Sequence, residues 1–216
     1  MFRIMALLTG YLLGCIQTAY FVGKLHGIDI REHGSKNAGA TNISRTMGKK
    51  TGVIVFIIDL CKCFAAFIIA TFLFNGEGTF FTFCKHAEDT LCHCDLFNNN
   101  ILPGIYAGIG TVLGHCFPVH LKFRGGKGVA CALALIIMLD WRVALIAFGL
   151  NFILFLITRY VSLSSLLIML VTPVLMLLFG HKLEAVALMV GVAALIWYMH
   201  RENIKKLMSG TERKYF

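Results

Sequence analysis

Apolar residues run in long blocks along the chain, at about 4–22, 52–74, 101–114, 128–139, 143–158, 161–179 and 183–199, and polar residues gather between them. A helix needs about 20 apolar residues to cross a bilayer, and the blocks approach that length. The pattern predicts an all-α integral membrane protein with about seven transmembrane helices. Two blocks, 101–114 and 128–139, are short for a hydrocarbon core about 30 Å thick, so broken, tilted or re-entrant segments are expected there. Irregular backbone at membrane depth survives only when packed in protein or lining a wet cavity, which suits a site better than a plain connection. The whole of 1–216 reads as one polytopic membrane domain with a longer loop at 75–100.

Composition agrees with that pattern. The 216 residues are 58% hydrophobic and 14% charged, too apolar for a soluble domain. A net charge of +9 does not mark a nucleic-acid binder, because the basic residues border apolar blocks instead of forming a solvated stripe. The opening Met1-Phe2-Arg3 and the run Leu12-Leu13-Gly14-Cys15 have some likeness to a signal peptide with a lipobox. The further spans favour a first span that serves as its own insertion signal.

Charge also predicts orientation. Seven crossings put the termini on opposite sides, and the basic residues divide unequally: Arg3, Lys85, Arg142 and Lys182 on one side, fifteen others from Lys24 to Lys214 on the other. The positive-inside rule places the N-terminus outside, the C-terminus in the cytoplasm and the 75–100 loop outside.

Three polar segments fall on the cytoplasmic side of that arrangement. The first is His33 to Lys49, rich in small residues, hydroxyls and amides, with Arg45 near its end; such a surface suits an oxyanion, and a solvated loop is the plainer alternative. The second is Gly114 to Val129, where Gly125, Gly126 and Gly128 surround Lys127. Glycines there leave backbone N–H groups to converge on an anion while the lysine adds charge. It is not a P-loop, since glycine follows the lysine where Ser or Thr is required, and a basic loop facing the leaflet is the alternative. The third is His200 to Lys206, in which His200 and Asn203 share a helix face; a juxtamembrane basic helix on anionic lipid is its alternative. Three phosphate-friendly segments on one side argue for one assembled site.

Together these segments resemble the PlsY family, bacterial membrane acyltransferases that move an acyl group from acyl phosphate to glycerol 3-phosphate. The first resembles the family's S-G-N-x-G-A-T-N-x-x-R-x-x-G, the second G-H-x-F-P-V-x-x-x-F-x-G-G-K-G-V-A and the third H-R-x-N-I-x-R-L-x-x-G-x-E. Departures are Lys36 where glycine is usual, Gln17 where proline is common and Lys206 where arginine is common. A turn needing positive φ at position 36 would resist the lysine. The resemblance implies a catalytic set of Ser35, Lys127, His200 and Asn203. It implies a substrate-binding set of Arg45, Asn37, Asn42, Gly125, Gly126, Gly128 and Ser162. Ser162 has an alternative as a serine satisfied by its own helix, and Glu202 is expected to fix local structure. The expected partners are glycerol 3-phosphate, acyl phosphate and the bilayer, the expected state a monomer, and the expected location the bacterial cytoplasmic (inner) membrane.

Acyl transfer from a mixed anhydride needs positioning and charge stabilisation more than an activated nucleophile, because phosphate already leaves well. Neither an H-x-x-x-x-D pair nor a G-x-S-x-G elbow occurs, no metal-ligand spacing joins the three segments, and neither metal nor cofactor is expected. The rival class is an organophosphate transporter, with Asp59 and Lys62 as a pathway pair. Their spacing on one helix face fits a structural ion pair better, and the paired halves common in transporters are missing. Of eight cysteines, Cys15, Cys61, Cys63, Cys116 and Cys131 fall in or beside spans as apolar fillers. Cys84, Cys92 and Cys94 share the 75–100 loop with His86 and His93, where a bridge from Cys84 to Cys92 or Cys94, metal binding or free thiols are the options.

Overall fold

The computed structural model describes residues 2–74 and 102–215; the cysteines and histidines of the 75–100 loop lie outside the described residues. Every regular element among the described residues is helical: α1 (Phe2–Gly14), α2 (Thr18–Leu25), α3 (Ala40–Met47), α4 (Lys49–Phe74), α5 (Leu102–Cys116), a 3-10 turn at Val119–Leu121, α6 (Val129–Leu139), α7 (Trp141–Thr158), α8 (Val161–Leu178), α9 (Leu183–Met199) and α10 (Arg201–Met208).

Among the described residues, helices occupy all seven apolar blocks, the first of them in two pieces. Five stretches among the described residues are long and apolar enough to cross a membrane: Phe2–Leu25, Lys49–Phe74, Leu102–Leu121, Trp141–Thr158 and Val161–Leu178. The pair α9 and α10, bent by 61°, makes a sixth if counted as one span. At 11 residues, α6 reaches only about 16 Å, in line with a short or re-entrant segment. The expected break is also found in a place the hydropathy pattern hides, between α1 and α2 inside the first block.

That break is held by buried charge. With α1 ending at Gly14 and α2 starting at Thr18, the carbonyls of Gly14 and Ile16 lose helical partners in mid-span. Lys62 of α4 supplies them, its Nζ lying 2.8 Å from Ile16 O and 3.3 Å from Gly14 O. Asp59 balances the ammonium at 2.9 Å and accepts from the Thr18 hydroxyl at 3.0 Å. An unpaired charge in this setting would be strongly destabilising. Asp59 and Lys62 are therefore a structural pair, and what they stabilise is a broken helix.

The described residues form two compact units, 1–135 and 136–216, with the boundary inside α6. In the first unit α1 packs on α5 through small residues spaced four apart. A Cβ at Gly10 would collide with the Ala107 backbone, one at Gly14 with Thr111, one at Gly110 with Leu7 and one at Gly114 with Tyr11. Such contact lets two apolar helices associate in lipid, where burial of apolar surface gives no advantage over the acyl chains. The same device seats α4: Gly52 meets Ser44 of α3, and Gly104 of α5 meets Phe67 and Thr71.

In the second unit α8 packs on α7 and α9, and the Trp197 indole donates to Leu166 O at 3.2 Å. Asp140 caps α7 by accepting from Arg142 N at 2.8 Å. Its carboxylate also takes the Arg142 guanidinium at 2.8 Å and His181 Nε2 at 3.0 Å. Burial works to raise this carboxyl, but the His181 and Arg142 hydrogen bonds outweigh it and hold Asp140 below the usual carboxylate range.

Candidate active site

The first polar loop begins where α2 stops. Gly27, at φ 78, closes the helix, with Ile28 N on Gly23 O at 3.0 Å and Gly27 N on Lys24 O at 3.0 Å, a Schellman ending. Asp29 then grips Arg31 through two bonds of 3.0 and 2.7 Å, which hold its carboxyl down at about 2. Beyond it the chain wraps around one side chain, Asn42. Fully buried, Asn42 accepts from Ser35 N at 2.8 Å and donates toward the carbonyls of Ile30, His33 and Asn37, each at 3.0 Å. Its amide is thus committed to the loop. Asn42 shapes the surface and does not line it, which corrects its expected place among substrate contacts. Ser35 lies exposed, and Asn37 and Arg45 are half-buried.

Lys36 adopts φ 59, the left-handed region. The reservation about a lysine in a glycine position is met by a lysine that takes up the glycine conformation, with its N–H on His33 O at 2.9 Å.

The second loop folds back on the end of α5. Gly125 N donates to Cys116 O at 3.2 Å and Gly126 N to His115 O at 2.9 Å, so these N–H groups satisfy carbonyls that the helix leaves over. The expected anion nest at Gly125 and Gly126 does not exist. Both glycines are needed for room: a Cβ at Gly125 would strike the His115 and Cys116 carbonyls and Pro118, and one at Gly126 the His115 ring and the Ala38 carbonyl. Gly128, at φ 78, turns into α6, and a Cβ there would stand 2.9 Å from Cys116 Sγ. Lys122 and Phe123, at φ 53 and 60, are consecutive left-handed residues without the glycine exemption. Such backbone concentrates at functional loops.

Gly126 joins the two segments, since it lies directly against Ala38 of the first loop. Lys127, half-buried, therefore stands beside the first loop at the entrance to α6, whose first turn carries no acidic residue. An anion is favoured there by the helix N-terminus and the lysine together.

In the second unit the third segment builds its own cluster. α10 ends in another Schellman motif, with Thr211 N on Lys206 O at 2.8 Å, Gly210 N on Leu207 O at 3.2 Å, and Gly210 at φ 68. The reversal carries Glu212 back along the helix. There Glu212 Oε1 accepts from the Ser162 hydroxyl at 2.7 Å and from the Asn203 amide at 2.8 Å. Ser162 is therefore not satisfied by its own helix: its hydroxyl points to Glu212, whereas Ser164 and Ser165 both donate to Val161 O. The local anchor is Glu212 and not Glu202, which lies on the surface 3.4 Å from Lys205. Its signal was in the sequence as the last residue of the third motif. His200 is 2% exposed and its Nδ1 is 2.8 Å from Ile196 O. A carbonyl only accepts, so Nδ1 carries a proton and Nε2 is the basic nitrogen of the neutral ring.

With this geometry in place, comparison with known proteins is decisive. The family model described as glycerol-3-phosphate acyltransferase matches residues 4–210. The chain belongs to the glycerol-3-phosphate acyltransferase family. A member from Aquifex aeolicus (strain VF5) is 36% identical over 205 residues, 95% of each chain. One from Clostridioides difficile (strain 630) is 38% identical over 205 residues, 94% of this chain and 91% of the other. Among solved structures, the glycerol 3-phosphate form of PlsY (YgiH), an integral membrane glycerol 3-phosphate acyltransferase, superposes with TM-score 0.81 at 34% identity, covering 98% of this chain and 94% of that one. The lysophosphatidic acid form of PlsY superposes with TM-score 0.78 at 33% identity, covering the same shares of the two chains. As a member of the glycerol-3-phosphate acyltransferase family, this chain is an integral, multi-pass membrane enzyme, and the transporter alternative is set aside.

Proposed function

We propose that this enzyme transfers a fatty acyl group from acyl phosphate to the 1-position of glycerol 3-phosphate, giving lysophosphatidic acid and inorganic phosphate. The acceptor and product follow the glycerol 3-phosphate and lysophosphatidic acid forms of the related structure. The observation that carries the reading is the approach of Gly126 to Ala38, which sets Lys127 beside the loop that bears Ser35 and Asn37 and leads into α3 with its Arg45. These are cationic, hydroxyl and amide groups without a carboxylate among them, as two phosphate-bearing substrates require. On the charge asymmetry we assign these loops to the cytoplasmic side of a bacterial inner membrane.

In the reaction the glycerol 1-hydroxyl oxygen bonds to the acyl carbonyl carbon, the carbon–oxygen bond to phosphate breaks, and phosphate leaves with the electron pair. The hydroxyl proton passes to a leaving-phosphate oxygen or to His200 Nε2. On the sequence motifs we assign Asn203 and Ser162, both hydrogen-bonded to Glu212 within residues 136–216, to the same reaction. Purified protein given glycerol 3-phosphate with acyl phosphate, acyl-CoA or acyl carrier protein in turn, with product mass as readout, tests the donor. Lysophosphatidic acid from acyl phosphate alone is the expected result; turnover with acyl-CoA but not acyl phosphate would overturn the assignment.

A further inference from the structure

His115 belongs to neither the catalytic nor the substrate-binding set, yet it lies where the two loops of the first unit meet. It is the penultimate residue of α5 and is 4% exposed. Its carbonyl accepts from Gly126 N at 2.9 Å and from the Gln17 amide at 2.9 Å. Its ring is held from one edge, with Nδ1 2.9 Å from Lys62 Nζ and 3.7 Å from Asp59 Oδ1. An ammonium group only donates, so Nδ1 accepts and the proton of the neutral ring is on Nε2. That second edge faces Gly126: a Cβ placed there would meet Nε2 and the Ala38 carbonyl oxygen. The ion pair that repairs the break between α1 and α2 thus also fixes one edge of an imidazole whose other edge is a stop for the glycine loop.

We propose that His115 is a positioning residue for the transfer reaction: braced by Asp59 and Lys62, it sets how closely Gly125–Lys127 approaches Ala38, and so the placing of Lys127 relative to Ser35 and Arg45. The proposal rests on the reading of those residues as holding substrate phosphate. His115 itself touches no substrate. Its effect is geometric, and displacement of a positioned group by about 1 Å can cost on the order of 100-fold in rate.

The test is a double-mutant cycle on the full-length protein, reading kcat and KM for glycerol 3-phosphate at saturating acyl phosphate, with the melting temperature of the substrate-free protein alongside. His115→Ala is expected to lower kcat/KM for glycerol 3-phosphate about 10- to 100-fold, with KM raised and the melting temperature within a few degrees of wild type. Gly126→Ala, which drives a methyl into the same contact, is expected to cost less in the His115→Ala background than alone, because removal of the ring vacates the space. His115→Gln, with an amide that can accept from Lys62, is expected to recover part of the loss, and it carries the cycle if the alanine variant does not fold. Equal cost of Gly126→Ala in both backgrounds, or a loss of thermal stability with KM unchanged, would overturn the proposal. Lys127→Ala assayed in parallel separates the two readings: if it raises KM and the His115 variants do not, only the positioning role fails, whereas an unchanged KM in Lys127→Ala removes the phosphate reading itself.

Discussion

Lys36 holds a backbone conformation that its family usually gives to glycine, and the cost is local. A side chain in the left-handed region is disfavoured by about 1–2 kcal/mol, partly offset by the roughly 0.5–1 kcal/mol that an unfolded glycine loses in extra freedom. Lys36→Gly is therefore expected to melt in detergent at the wild-type temperature or slightly above. A fall of several degrees would mean that the lysine side chain, and not the turn, matters to the fold. At this scale the sequence was informative wherever a motif fixed the residue type. It was less so about what each residue does. Asn42 was recognisable as part of a phosphate-type loop, but only the folded loop reveals that its amide is spent on three carbonyls and an N–H. Gly125 and Gly126 carried the same ambiguity, since a glycine needed for close approach and a glycine needed for a bare N–H look alike in one sequence.

Between elements, the contact of α1 with α5 rests on glycine backbones. Apolar blocks announced both helices, but hydropathy says nothing of which face is small, and Gly10 and Gly14 were legible only as a four-residue spacing. The break after Gly14 was hidden for a related reason: residues 15–17 include Cys15 and Ile16, apolar enough to keep the block continuous, while the donors that satisfy it come from α4. Gly10→Leu should press a side chain onto the Ala107 backbone, which cannot yield as a side chain can, and is expected to destabilise by at least the 1–3 kcal/mol, approximately, typical of overpacking. Gly149→Leu on α7, where nothing lies within 4 Å of an added Cβ, is the matched control and should be near neutral. Thermal melts of the two variants in one detergent check this; equal stability would deny that α1 and α5 touch backbone to backbone.

For the molecule as a whole, fold class and family were legible early because the bilayer demands long apolar blocks and because the motifs extend across the chain. The candidate site was read from the sequence as three segments. The structure joins two of them within residues 1–135 through Gly126 and Ala38, and in residues 136–216 it ties the third to Ser162 through Glu212. The functional reading depends above all on Arg45 and Lys127 holding substrate phosphate, and the sharpest check is the rate of lysophosphatidic acid formation from acyl phosphate and glycerol 3-phosphate by Arg45→Ala and Lys127→Ala. Loss of a charge-assisted hydrogen bond is worth about 1.5–3 kcal/mol, so each variant is predicted to fold normally and to lose about 10- to 150-fold in kcat/KM. Wild-type transfer by both variants would refute the assignment.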